Sequence, residues 1–176
     1  MPKLLENVRA QLLQEAQKQV AERGYAKTTI RSVAEACGVA VGTVYNYFPS
    51  KEMLVASFMA ETWMDSLSII EAGDKTDPKE YLRGLYETLR SFVERHKTLF
   101  ADREAEQAYV AVFPARHRML REQLAALTAP VCVAAPGMED GFAAKFVADA
   151  LLTWVVEGEA FDRLWPLLSG AIRARE

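Results

Sequence analysis

Apolar residues recur at three- and four-residue steps in one segment after another, and that pattern commits the chain to helices. Leu5, Val8, Leu12, Ala16 and Val20 share one face of a helix over residues 4–23. Gly24 follows Arg23, a fitting stop after a basic last turn. Thr28 and Thr29 offer hydroxyl caps to a short helix that ends near Cys37, and Gly38 breaks it. A second short helix runs from about Ala40 to Asn46. Pro49-Ser50 stops the chain, and Ser50 can cap a longer helix over 51–71, with Leu54, Phe58 and Met64 among its apolar positions. Gly73–Pro78 is a turn cluster. Leu82, Leu85, Leu89, Phe92 and Val93 line one side of residues 78–95, and helical patterns continue over 97–111, 114–128, 142–156 and 160–173. Thr128–Gly141 reads as a loop; Val131-Cys132-Val133 within it is strand-like but has no partner run nearby. The reading is all-α, with about nine helices.

Composition narrows the function. Of 176 residues, 51% are apolar and 26% charged, with a net charge of −3, which excludes disorder as the dominant state. No apolar run approaches the ~20 residues of a membrane helix; the longest candidate, Leu151–Val156, already contains Thr153. The N-terminus shows no apolar core or cleavage site of a secretory signal, so a cytoplasmic protein with no membrane partner is expected. Cys37 and Cys132 make no disulfide framework; Cys37 reads as a small buried hydrophobe and Cys132 as the more open to reaction, in a loop. His96 and His117 lack metal-ligand spacing, and no nucleophile–base set or phosphate-binding glycine loop stands out. Neither an enzyme nor a metal or other cofactor is expected. Charge is uneven: residues 1–51 hold seven Lys/Arg against four acids, while the remainder holds fourteen against twenty. A basic head on an acidic body suits a chain that meets a polyanion at one end only.

The chemistry lies in residues 24–54. Two short helices joined by a glycine turn, behind a packing helix, make a helix-turn-helix. Gly38 sits where the turn bends back, and Ile30, Val33, Ala34, Cys37, Val39 and Val44 would fix the angle between the helices. The second helix then projects outward, as a helix entering a major groove about 12 Å wide must. Its outward residues carry most of the expected contacts: Tyr45 and Tyr47 to phosphate, Asn46 bidentate to adenine, the Thr43 methyl to thymine; Thr29, before the first short helix, is a further phosphate candidate. Val41 and Gly42 lie on the same edge, where Gly42 would let the backbone come close. Thr28 is a further hydroxyl candidate, and Lys51 would clamp a phosphate beside the start of its helix.

The run from Gly24 through Leu54 closely resembles the N-terminal signature of the TetR/AcrR family of bacterial transcriptional regulators. Gly24, Thr28-Thr29-Ile30, Val33-Ala34, Gly38-Val39, Gly42, Val44-Tyr45, Tyr47-Phe48, Lys51-Glu52 and Leu54 fall at the family's spacing. Ala40 departs from it, since many relatives carry a phosphate-touching serine there. The resemblance implies a head over residues 4–64 and a ligand-binding and dimerisation domain over 65–176. It implies a homodimer that holds a palindromic operator in double-stranded DNA and is released by a small-molecule inducer. A transcriptional activator of the same fold, or a helical adaptor without DNA binding, is the alternative.

Two apolar surfaces follow from that expectation. Trp63, Met64, Leu67, Leu85, Leu89, Phe92, Phe100, Tyr109 and Phe113 could line an inducer cavity, or could be ordinary core. Phe146, Ala150, Leu151, Trp154, Phe161, Trp165 and Leu168, on the last two helices, are expected to pair with a second copy across a two-fold axis.

Overall fold

A computed structural model describes residues 7–112, 114–133, 139 and 141–172, with the side chains of 109–112 and 114–117 excluded. Among these residues ten α-helices follow one another: α1 (Val8–Arg23), α2 (Ile30–Cys37), α3 (Val41–Tyr47), α4 (Lys51–Glu71), α5 (Pro78–Arg95), α6 (Lys97–Phe100), α7 (Arg103–Val112), α8 (Pro114–Thr128), α9 (Phe142–Val156) and α10 (Phe161–Leu168). Short 3-10 turns occupy Ala129–Val131 and Ser169–Ala171. The tenth helix arises where the pattern over 97–111 divides. Asp102 leaves the helix there and caps α7, its Oδ1 accepting from the amides of Glu104 and Ala105 at 3.0 and 3.2 Å. The last helix stops at Leu168, ahead of residue 173, because the chain tightens into the 3-10 turn around Gly170.

The chain folds as two compact units, residues 1–64 with 95–112 and residues 65–94 with 113–176. The first is the head, and it is larger than the boundary at 64 implies. Leu12, Leu13, Ala16 and Val20 of α1 pack with Ile30, Val33, Ala34, Val44 and Phe48, with Leu54, Val55 and Phe58 of α4, and with Leu99 and Ala105 of α6 and α7. The body has its own core: Leu82, Leu85, Tyr86 and Leu89 of α5, Leu124 of α8, Val147 and Leu151 of α9, and Phe161 and Leu168 of α10 are all buried. Tyr81 and Tyr86 fix its elements by donating to the carbonyls of Leu127 and Glu159, at 3.0 and 2.6 Å. Arg83 forks onto both carboxylate oxygens of Asp162, at 2.7 and 3.2 Å.

Two local expectations change. The strand-like Val131-Cys132-Val133 does find a partner, at the far end of the body. Cys132 bridges antiparallel to Ile172, and the Val133 amide donates to the Ala171 carbonyl at 3.1 Å. Cys132 is therefore buried, not exposed in a loop. In addition, the 21-residue α4 is long and apolar enough, by length and composition alone, to cross a membrane. Part of its apolar surface has protein neighbours: Leu54, Val55 and Phe58 are buried in the head, Leu67 and Ile70 in the body, while Met64 and Ile69 are exposed.

Candidate nucleic-acid interface

The head presents α3 by fixing the elements on either side of it. Gly24 takes φ 84° and closes α1, its amide donating to the Val20 carbonyl. Thr29 caps α2 through a reciprocal pair: its hydroxyl accepts from the Ser32 amide at 3.0 Å, and Ser32 Oγ accepts from the Thr29 amide at 3.1 Å. Buried Gln19 of α1 secures that cap from below. Its Nε2 donates to the Ser32 carbonyl at 3.1 Å, and its Oε1 accepts from the Ser32 hydroxyl at 2.6 Å. Gly38 turns the chain at φ 66°, ψ 29°, and its amide donates back to α2. Burial of Val44 and Phe48 then anchors α3 at its middle and its end.

What remains of α3 faces outward. Tyr45 is 51% exposed and Tyr47 46%, with Asn46 exposed between them. An added Cβ at Gly42 would meet nothing within 4 Å, so no packing within the chain requires glycine there. Val41 and Thr43 are half-buried, and Thr29 is exposed at the start of α2. The Tyr47 and Phe48 rings lie 6.4 Å apart, which seats the tyrosine on the core.

The family model for bacterial regulatory proteins of the tetR family matches residues 12–58, the stretch that builds this arrangement. Over these residues the head is of the TetR type. The HTH-type transcriptional repressor KstR2 of Mycobacterium tuberculosis is 31% identical over 90 residues, which are 50% of this chain and 45% of that repressor. The match thus spans less than half the length of that relative. A TetR-family regulator from Pectobacterium atrosepticum superimposes with a TM-score of 0.63 at 22% identity, covering 96% of this chain and 95% of its own. Thermus thermophilus FadR, a TetR-family repressor solved with lauroyl-CoA, gives 0.60 at 22%, covering 96% of each chain. These two likenesses show the fold.

Within the TetR-type head, two of the sequence candidates change place. Thr28 is buried, and its hydroxyl donates to the Gly24 carbonyl at 2.9 Å, so it braces the loop before α2 instead of meeting a partner. Lys51 is turned back onto the head. Its Nζ donates to the Tyr25 carbonyl at 2.9 Å and lies 3.7 Å from the centre of the Tyr25 ring. The Tyr25 hydroxyl in turn donates to Glu52 Oε1 at 3.0 Å, and burial together with that carboxylate pushes the phenol well above its ordinary range.

The apolar candidates divide. Of the dimerisation set, Leu151, Phe161 and Leu168 are buried in the body's own core and cannot meet a second copy; Phe146 and Trp154 are exposed, while Ala150 and Trp165 are half-buried. Of the cavity set, Leu67, Leu85 and Leu89 are body core, Phe92 is half-buried in the body and Trp63 in the head, and Met64 and Phe100 are exposed. The side chain of Tyr109, like Phe113 and the side chain of His117, lies outside the described residues. Gln19 and Asp102 are the residues that sequence reasoning missed. A polar residue on the buried stripe of α1 was the available signal for Gln19. Nothing local pointed from Asp102 toward α2.

Proposed function

We propose that the chain is a homodimeric transcriptional repressor that reads duplex DNA with α3 and lets go when its body binds a small molecule. One observation carries the reading: α3 buries Val44 alone and turns Tyr45, Asn46 and Tyr47 outward on a frame capped at Thr29. Phenolic hydroxyls and the Thr29 hydroxyl set register on phosphates, and Asn46 reads a base edge. Thr43 and Val41 offer methyls at the same edge, and Gly42 leaves room for the backbone to approach. Lys51 serves as a brace for this edge, and Thr28 as a brace for α2.

A second copy would place the other α3 about one helical turn away, ~34–36 Å, on a palindromic site. The exposed Phe146 and Trp154 with half-buried Ala150 and Trp165 support that pairing through α9 and α10. The inducer is apolar or amphipathic on this reading, because no charged residue stands out in the apolar stripe that the sequence offers as its lining. It acts by binding the DNA-incompetent arrangement more tightly than the competent one. Repression extends what the relatives' names state of those proteins, and a cytoplasmic site of action follows from the proposed reading of duplex DNA.

The test is selection of duplexes from a random library by the purified full chain, at moderate salt. An inverted repeat should emerge. Asn46→Ala should then relax base preference more than it lowers binding to random duplex, because a base contact is lost and no phosphate contact. Enrichment of no duplex would overturn the reading in favour of a helical adaptor.

A further inference from the structure

The loop between α1 and α2 decides where the α2 cap stands, and among the described residues four side-chain hydrogen bonds hold it. Thr28 Oγ1 donates to the Gly24 carbonyl, Lys51 Nζ to the Tyr25 carbonyl, and the Tyr25 hydroxyl to Glu52. The fourth comes from far along the chain: the Ala26 amide donates to Asp102 Oδ2 at 3.2 Å. Asp102 does this while its other oxygen caps α7. The turn that carries it is flanked by residues packed in the head. Leu99 and Ala105, three residues to either side, belong to the head core, and His96 stacks on Phe58 of α4 at 5.9 Å. The carboxylate also rests against the α1–α2 backbone, where a Cβ at Gly24 would lie 3.7 Å from Oδ2.

We propose that Asp102 is a positioning residue for DNA reading, because it ties the Tyr25–Thr28 loop, and with it the start of α2, to the α6–α7 turn. This rests on the DNA-binding reading above and adds to it a grip from beyond residue 64. The two oxygens have separable tasks. One caps α7; the other holds Ala26. Asp102→Asn keeps an oxygen for the two α7 amides, and asparagine caps helices about as well as aspartate. Its NH₂ then faces the Ala26 amide, donor against donor, and the tie is lost. Two bonds against one decide that orientation. Asp102→Ala removes both tasks.

The experiment compares wild type, Asp102→Asn and Asp102→Ala on the selected duplex and on a scrambled one, with thermal melting and amide exchange alongside. For Asp102→Asn the melting temperature should stay near wild type, and the Ala26 amide should exchange faster while the Glu104 and Ala105 amides stay protected. Affinity for the selected duplex should fall roughly three- to tenfold, the scale of one hydrogen bond, and binding to the scrambled duplex should fall by no more than that, since the Thr29 phosphate contact is common to both. Asp102→Ala should also melt lower. Unchanged affinity of Asp102→Asn for the selected duplex overturns the proposal. So does melting of Asp102→Asn as low as Asp102→Ala, which would make the residue a plain helix cap. Failure of the underlying reading shows elsewhere, in a wild type that enriches no duplex.

Discussion

Gly42 is exposed, lies outside the left-handed region and has open space where a Cβ would stand. Helix propensity alone then favours alanine by up to about 1 kcal/mol. Gly42→Ala should therefore raise the thermal midpoint and, if α3 approaches a duplex as proposed, weaken specific binding measured by fluorescence anisotropy. A stabler variant with undiminished binding would show that the glycine has no role in approach. His96 offers a second test at this scale. Burial against Phe58 and Phe100, then the nearby Arg95 charge, lower its pKa from the ordinary 6.5 to about 4. The folded chain keeps this imidazole neutral where the unfolded chain would protonate it. Its contribution is thus complete above about pH 6.5 and declines as pH falls toward about 4, by on the order of 3 kcal/mol at about 1.4 kcal/mol per pH unit. Urea midpoints recorded from pH 7 down to pH 4.5 should fall accordingly, and His96→Phe should flatten that slope.

Among elements, α9 has two faces with opposite expected behaviour. Leu151 is fully buried, so Leu151→Ala should cost about 2–5 kcal/mol of stability by chemical denaturation. Phe146 and Trp154 are exposed, so replacing either by serine should change the stability of a single chain by much less. The helical character of α1 to α5 was legible because its causes are local: the 3.6-residue period, the glycines at 24 and 38, and the hydroxyl at 29. What could not be read were contacts made across sequence. Ala26 meets Asp102, and Gln19 meets Ser32, only once the chain has folded. Amphipathic spacing likewise could not say which apolar residues of α9 and α10 meet their own body. Periodicity reports that a face is apolar, and the neighbour that covers it is settled by tertiary packing. The contacts of Lys51 within the chain could not be read for the same reason, since the Tyr25 carbonyl and ring that it meets lie 26 positions earlier.

At the scale of the whole molecule, exposed apolar side chains gather on the last two helices: Phe142, Phe146, Trp154 and Val156 on α9, and Leu167, 79% exposed, on α10. Large apolar surface left in water favours self-association. Sedimentation velocity should accordingly report a dimer, and a Phe146→Glu, Trp154→Glu variant should sediment as a monomer with its helical content intact. A dimeric double variant would remove α9 from the proposed interface. The antiparallel bridge from Cys132 to Ile172 joins positions forty apart, after α9 and α10 have been laid down between them. Closing so long a loop is entropically costly, and such a contact is expected to come after the rate-limiting barrier. Clipping Ile172 to alanine should thus leave the refolding rate almost untouched and hasten unfolding, so that this clasp governs how long the native state lasts and not how quickly it is reached.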